Sequence, residues 1–421
     1  MKNKKGIAAI LFLYWLVLVL WLNISAVENQ SGLDILIKCG LIGLLSFYYI
    51  LHMDGKLYHV ITFPLFTLSL IISFSLEKGY GFRTIVYYLF VLMLIFCVYV
   101  IGNKHCITVQ NYIWFLNAII LVAVYTAIYA LLFCTEQFVS AFEISNAYGH
   151  ELSSFFSSNH EYGMYMAAGI IGCVFNIEQN VDNNKKGNVK YILALLILVP
   201  NLILTFSRTA IFSALIFFFM YILLGNNKIM KRTLVFLMIV GMTIALYSGT
   251  IRNFLINIVG KGGNSAGRDK LYDLAIRLFR ESGTFHKLFG NGIVLSQEYF
   301  EAATTHSNVH NAYLHVLVCF GIVGLAWMVG FLLKLLIGYW RFYLRNKMWG
   351  ARFLCITLWS IFMMIANTHL IFTSQIDCYF LTMFAIIVPK YVYNALCKKE
   401  TVFFEQGGRE GNIDEQNRDF I

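Results

Sequence analysis

The chain has 421 residues, of which 59% are hydrophobic and 13% are charged, and its mean hydropathy is +0.69. Soluble domains carry about 25% charged residues, so this composition excludes an ordinary soluble protein and indicates an integral membrane protein. The net charge of +10 could suggest nucleic acid as a partner. Much of the lysine and arginine lies in short connections between apolar segments, however, where it reports orientation in the membrane. We therefore expect no nucleic-acid partner.

Apolar runs of about twenty residues recur along the chain, each long enough to cross roughly 30 Å of hydrocarbon as a helix. We predict an all-α membrane protein with twelve spans, at 7–23, 33–51, 58–76, 84–102, 112–134, 161–177, 190–206, 208–224, 233–249, 312–338, 352–372 and 376–396. The first apolar run could be a signal peptide. Because a second span follows almost at once, an uncleaved first helix is the better interpretation.

Lysine and arginine alternate between successive connections, which predicts the orientation of the spans. With the N-terminus inside, the cytoplasmic connections carry Lys56, Lys104, Lys185, Lys186, Lys228, Lys231, Arg232, Arg341, Arg345, Lys347, Lys398 and Lys399. The short outer connections hold little beyond Lys78, Arg83 and Arg208. The sequence then divides into spans one to nine (1–248), a large extracytoplasmic loop (249–311), spans ten to twelve (312–397) and a cytoplasmic tail (398–421).

The nine cysteines include no CxxC pair, and none of them lies in the 249–311 loop. This pattern argues against a disulfide framework or a thiolate metal site. We interpret the cysteines as small apolar packing residues.

Arg208 interrupts an apolar run that is too long for one helix, so we expect the chain to reverse near this residue. An arginine at the membrane boundary is costly unless it is paired or faces water. A helix beginning there would add the positive potential of its N-terminus, and together these features suggest a phosphate site. The alternative is a side chain that extends to the lipid headgroups.

Residues 268–280 of the large loop predict an amphipathic helix. Its apolar face would carry Leu271, Leu274, Ala275, Leu278 and Phe279. Lys270, Arg277 and Arg280 gather on the opposite face, where solvent or lipid headgroups would surround them. Arg268 falls at the edge of the apolar face, so it is the better candidate for a bidentate phosphate contact.

His306 and His310 are four residues apart and would share one face of a helix. That spacing can bind metal, but the HExxH pattern is absent and no carboxylate stands nearby, so we expect no metal and no other cofactor. A histidine at the mouth of a membrane cavity is better suited to act as a general base, although a capping role is the alternative. Asn311 could orient a neighbouring group or cap the tenth span. The sequence does not place His160 or His369.

Several patterns are missing from the sequence. The predicted spans carry no acidic residue near their middle, which disfavours an ion-coupled transporter. Paired outer carboxylates that would suggest a glycosidase are absent, as are Gly-x-Ser-x-Gly and Walker patterns.

Ordered motifs in residues 155–330 resemble the bacterial O-antigen ligase and O-antigen or capsule polymerase superfamily. They are Ser207-Arg208-Thr209, Gly267-Arg268, Leu288-Phe289-Gly290-Asn291-Gly292, His310-Asn311-Ala312-Tyr313-Leu314 and Phe320-Gly321-Ile322-Val323-Gly324-Leu325. Phe156-Ser157-Ser158-Asn159-His160 resembles the family's outer motif that contains an asparagine, without the proline often found before it.

The resemblance implies a metal-independent, GT-C-like glycosyltransferase whose donor is a glycan on undecaprenyl diphosphate. Arg208 and Arg268 would hold the diphosphate and stabilise charge on the leaving group, and His310 would activate the acceptor hydroxyl. We also predict that substrate contacts His306, Asn311, Asn159, Gly290 and Gly292. Membrane lipid is a further partner, and a chain-length regulator and a flippase are candidate protein partners.

The leading hypothesis is a polysaccharide polymerase of the bacterial cytoplasmic (inner) membrane, with its active site on the extracytoplasmic face. A ligase that moves the finished chain to lipid A core or another acceptor shares the donor chemistry, and the sequence does not separate the two. A transporter or flippase is a third hypothesis. The sugar, its linkage and the stereochemical outcome are not encoded in any motif that we recognise.

Overall fold

The computed structural model describes residues 71–76, part of 81–89, 109–142, 151–156, 158–182, 187–247, 268–304, 309–366 and most of 381–397. Within these ranges all regular structure is helical, which confirms the predicted all-α class. The predicted spans at 7–23 and 33–51, most of those at 58–76 and 84–102, and the tail at 398–421 lie outside the described residues. The total of twelve spans therefore stays a prediction.

The helices of the described residues are labelled in chain order. They are α1 (Val109–Phe133), α2 (Thr135–Phe142), α3 (Asn159–Asp182), α4 (Val189–Leu204), α5 (Arg208–Leu224), α6 (Lys228–Tyr247), α7 (Arg268–Glu281), α8 (Thr284–Phe289), α9 (Ile293–Ala303), α10 (Ala312–Arg345) and α11 (Lys347–Ala366). A short π-helix, Met383–Ile387, follows.

Seven of these helices coincide with predicted spans, and α5 begins and ends at the predicted residues. Among the described residues, three helical segments are long and apolar enough to cross a membrane: Tyr112–Phe133, Ala312–Arg345 and Lys347–Ile365. The apolar helices α4 and α5 are shorter. Their meeting at residues 205–207 confirms the predicted interruption beside Arg208.

The helix bundle has two ends, which we name by their contacts. The junction end holds the connection between α4 and α5 and the start of α3, because Asn159 bonds Thr205 there. The opposite end holds the end of α3 and the start of α4, where Asn180 bonds Asn188. The end of α5 lies near Glu178, which belongs to the end of α3. Helices α4 and α5 therefore run in opposite directions.

A buried ion pair joins α3 to α11 at the opposite end. The Arg352 Nε atom lies 2.7 Å from Glu178 Oε2, and both side chains are only 1% exposed. Its Nη1 atom donates to Gln179 Oε1 at 2.7 Å, and its guanidinium lies over the rings of Trp349 and Phe175. Removing one partner from such a pair typically costs about 3–5 kcal/mol, because the other charge stays buried. Sequence reasoning missed this pair because both charges fall at the limits of predicted spans.

The helices in the described part of the large loop are α7, α8 and α9, and α7 confirms the predicted amphipathic helix. Leu271 and Ala275 are buried, whereas Lys270, Arg277 and Arg280 are exposed. The three cations therefore lie on the face opposite the packing contacts, as the helical period predicts.

The long helix α10 is broken at Gly321, whose φ of 69° and ψ of −168° are not helical. A break frees carbonyl groups in the preceding turn, and buried carbonyls need new donors. The backbone N–H of Asn291 donates to Val318 O at 2.8 Å, and that of Gly292 donates to Cys319 O at 3.2 Å. The Ser73 hydroxyl adds a second bond to Cys319 O at 2.7 Å. The large loop is thus fastened to α10 through its break.

Two glycines make this contact possible. Gly290 has a φ of 87° and lies against the backbone of Cys319 and Phe320, while Gly321 lies against the backbone of Leu288. A Cβ atom at either glycine would overlap the facing backbone, and the positive φ is unfavourable for an L side chain.

We predict that Gly321→Ala lowers the free energy of unfolding by about 1–3 kcal/mol or more, since this is the range for one strained backbone position. Gly330→Ala is the matched control in the same helix, because a Cβ atom there meets nothing within 4 Å. Thermal unfolding of the detergent-solubilised protein measures both. Equal unfolding midpoints for the two variants would contradict this explanation of the break.

Candidate functional site

The candidate site is built around the junction between α4 and α5, residues Thr205 to Arg208. Phe206 has a positive φ of 50°, which turns the chain sharply between the two helices. Ser207 then caps α5, and its Oγ atom accepts the N–H of Ala210 at 3.4 Å. Arg208 is the first residue of α5 and is half-buried. Its charge therefore adds to the positive potential of a helix N-terminus.

The start of α3 fixes this junction from one side. The Asn159 Nδ2 atom donates to Thr205 O at 2.8 Å, so this side chain satisfies a carbonyl at the end of α4. Gly163, one turn later, lies against the Cβ atoms of Ala210 and Ser207. A larger residue at position 163 would push α3 away from the junction.

His160 connects the junction to the large loop, a role that sequence reasoning did not find. Its Nδ1 atom lies 2.9 Å from Ser207 Oγ, and its Nε2 atom lies 3.1 Å from Arg268 Nη2. His160 follows Asn159 directly at the start of α3, so one short segment contacts both the junction and α7. Its position within the outer motif was the available signal, but sequence spacing gives no distance to Arg268.

The two arginines predicted to bind phosphate are brought together. Arg268 is the first residue of α7, and burial lowers the pKa of its guanidinium. The Tyr272 side chain raises that pKa, and the positive charge of Arg208 lowers it again. Arg208 is thus near enough for its charge to act on Arg268, and the two cations form a locally cationic surface that suits an anionic ligand.

Helix α7 is held against the start of α10 by an apolar cluster. Its buried members are Leu271, Ala275, Phe300, Val309 and Val318. Leu271 lies one turn after Arg268, and Val309 directly precedes His310. The cluster therefore fixes the helix that begins with Arg268 against the segment that contains His310.

His310 has a φ of 51°, which is unusual for a residue with a side chain, and it is half-buried. Such strain is kept only where surrounding contacts enforce it, and it concentrates at functional sites. Asn311 follows, and its Oδ1 atom caps α10 by accepting the N–H of Leu314 at 3.0 Å. Its Nδ2 atom donates to Ile365 O at 2.8 Å. The cap that the sequence suggested for Asn311 is thus confirmed.

The remaining predicted residues are less central to the junction. Gly290 and Gly292 lie at the break in α10, where their backbone contacts give them a structural reason to be glycine. His306 and His369 lie outside the described residues. Substrate contacts of the predicted residues stay predictions, as do their catalytic roles.

The described ranges contain no group of three or more His, Cys, Asp or Glu side chains that could hold a metal ion. The expectation of metal-independent chemistry stays a prediction. The side chains that do converge are Arg208, Arg268 and His160, and His160 lies between Arg268 and the junction. The two arginines are suited to binding an anion and to stabilising negative charge.

The comparison with protein families matches residues 193–329 to the family described as O-antigen ligase. The match includes the junction, α7, the loop glycines and the start of α10, so it covers most of the site just described. The predicted resemblance to the O-antigen ligase and polymerase superfamily is confirmed. Members of this family are glycosyltransferase-like enzymes of O-antigen biosynthesis, and the apolar helices agree with a membrane protein. A comparison with curated proteins found no match.

We predict that Asn311→Ala destabilises the protein by about 0.5–2 kcal/mol through loss of the α10 cap, in addition to loss of the bond to Ile365. Asn311→Asp is the matched control, because it keeps an oxygen that can cap α10 and loses the amide N–H. Thermal unfolding should place the aspartate variant between wild type and the alanine variant. If both variants lose the same stability, the cap contributes nothing measurable.

Proposed function

We propose that this protein is a polysaccharide polymerase that transfers a growing glycan from undecaprenyl diphosphate to the non-reducing end of another lipid-linked repeat unit. The observation that carries this proposal is the convergence of two distant segments at His160. Its ring lies 2.9 Å from Ser207 Oγ, directly before Arg208, and 3.1 Å from Arg268 Nη2. A lipid-borne diphosphate supplies the negative charges that such a pair would bind.

The donor diphosphate would lie at the junction end. Arg208 contributes its guanidinium together with the N–H groups at the start of α5, and Arg268 contributes a second guanidinium. Both side chains would bind oxygens whose negative charge increases as the sugar–phosphate bond breaks. Donors fixed in advance at such a position lower the barrier to bond breaking.

The transfer step breaks the bond between the anomeric carbon and the diphosphate oxygen and forms a bond from that carbon to the acceptor oxygen. The electron pair of the broken bond leaves with undecaprenyl diphosphate, whose charge the arginines would stabilise. The acceptor hydroxyl loses its proton to His310, which we assign as general base. We assign the reaction no metal ion or other cofactor.

The distribution of charge supports an extracytoplasmic site in the bacterial cytoplasmic membrane. The end away from the junction is rich in cations. Lys228, Lys231 and Arg232 lie in the first turns of α6, and Arg341, Arg345 and Lys347 lie at the end of α10 and the start of α11. Short loops rich in lysine and arginine face the cytoplasm in membrane proteins. The junction end would then face outward, where a flippase delivers lipid-linked repeats and where a chain-length regulator could act.

A ligase is the second candidate, because the matching family is described as O-antigen ligase. A ligase would use the same donor and the same arginines but would transfer the finished chain to lipid A core or another acceptor. A transporter or flippase could also use a cationic site for a lipid diphosphate, but it would leave the glycosidic bonds unchanged.

Purified protein supplied with undecaprenyl-diphosphate-linked repeat units should produce longer lipid-linked chains. His310→Ala should produce none above background, and chelator should leave the wild-type rate unchanged. Gel separation of the products measures chain length. Transfer to added lipid A core without elongation would favour the ligase, unaltered repeats would favour the transporter, and metal-dependent turnover would contradict the metal-free mechanism.

Arg268→Lys should lower polymerisation by at least about tenfold, because lysine cannot reproduce the two parallel hydrogen bonds of a guanidinium to phosphate. The matched control is Arg277→Lys on the exposed face of the same helix, which should retain nearly full activity. The initial rate of chain extension is the measurement. Near-normal activity of Arg268→Lys would rule out a bidentate contact.

A further inference from the structure

We infer that His160 is a positioning residue, whose neutral imidazole ring holds the Arg268 guanidinium where it receives the donor diphosphate. This inference rests on the proposed function. It concerns a residue that acts through Arg268 rather than one that touches the reacting atoms.

The geometry places His160 between three segments of the chain. The ring belongs to the start of α3, its Nδ1 atom lies 2.9 Å from Ser207 Oγ at the junction, and its Nε2 atom lies 3.1 Å from Arg268 Nη2 on α7. Both ring nitrogens are thus within hydrogen-bond distance of fixed partners. A ring held at both nitrogens can restrain the arginine with little freedom of its own.

The contact to arginine determines which nitrogen carries the proton. A guanidinium has N–H donors and no acceptor, so Arg268 Nη2 must donate and His160 Nε2 must accept. The ring proton then lies on Nδ1, which donates to Ser207 Oγ. Ser207 also accepts the N–H of Ala210. This chain of bonds connects the cap of α5, at whose start Arg208 lies, to the guanidinium of Arg268.

A neutral acceptor leaves the positive charge of its arginine partner in place, whereas a carboxylate acceptor would balance it. At the opposite end of the bundle, Arg352 is held by Glu178, and the pair is close to neutral. Arg268 forms no ion pair with a carboxylate among the described residues, and its hydrogen-bond partner there is His160. Its positive charge therefore stays uncompensated by that partner, and its other N–H groups are left to bind phosphate.

A second proton on His160 would remove the hydrogen bond that the ring accepts from Arg268. Of the charged and titratable groups around the ring, Arg268 bonds it directly, Arg208 follows its other partner Ser207, Tyr272 interacts with Arg268, and Glu161 is the adjacent buried acid on α3. A doubly protonated ring could not accept a hydrogen bond from Arg268, and its charge would repel both guanidinium groups. Acidification should therefore weaken donor binding through this ring.

The test measures binding of undecaprenyl diphosphate carrying one hexose to the purified full-length protein in detergent. Each phosphate of this probe carries one ester and one anhydride bond, so it lacks the second ionisation near pH 6 and the probe keeps its charge. At about pH 8, His160→Ala should weaken binding by about ten- to hundredfold, as expected for loss of a hydrogen bond to a charged group. The exposed control Arg277→Ala should change it less than about twofold.

Two further measurements separate positioning from a purely structural role. His160→Ala should cause no additional loss in an Arg268→Ala background, because the ring acts through that guanidinium. His160→Gln keeps a neutral acceptor, so it should retain most of the binding and lose the weakening that wild type shows between about pH 8 and about pH 5.5.

Each outcome decides something. Additive losses in the double variant, or an unchanged acid response in His160→Gln, would overturn the inference while the proposed function stands, provided that wild type binds the probe. If wild type does not bind the probe at all, the proposed function fails and this inference fails with it.

Discussion

The structure depends on holding the positive charges of Arg208 and Arg268 close to each other at one end of the helix bundle. Like charges repel, and partial burial strengthens the repulsion because less water screens it. The protein offsets this by fixing each arginine at the first residue of a helix and by anchoring both helices elsewhere. The start of α3 holds the junction before Arg208, and the cluster around Leu271 holds α7 against α10. An anion bound between the guanidinium groups would reduce the repulsion, as expected for the lipid diphosphate that we propose as the donor.

The two ends of the bundle use arginine in opposite ways. Arg352 is fully buried, bonded to Glu178 and Gln179, and covered by aromatic rings, so its charge is satisfied within the protein. Arg268 is partly exposed and lies 3.1 Å from His160 Nε2, which we infer to be a neutral acceptor, so its charge would be available to a ligand. The identity of the partner, a carboxylate or an imidazole, thus separates an arginine that joins helices from one that can bind substrate.

The sequence predicts the helices well because apolar runs and helical periodicity are local properties. It also predicts that Arg268 faces the protein while Arg277 faces solvent, since both follow from the spacing of apolar residues. The contact between His160 and Arg268 could not be predicted, because it joins segments whose separation in space depends on helix packing. The same limit applies to the pair of Glu178 and Arg352. The sequence predicts that Gly290 and Gly292 contact substrate, which stays a prediction. It does not predict their backbone contact to the break in α10, because that contact forms only when both segments are folded together.

The same local arrangement, a residue with a positive φ followed by a helix cap, occurs on both sides of the site. Phe206 and His310 both have a positive φ, and each is followed by a residue whose side chain caps the next helix. In the first case the sharp turn places Arg208 at the start of α5, and in the second it sets the direction of His310 itself. Each strained backbone costs about 1–3 kcal/mol, which the following helix cap can partly offset. A less strained turn would be more stable, but it would direct the cation or the proposed base elsewhere. The strain therefore has a functional explanation at both positions, because the groups it orients are those that the proposed transfer requires.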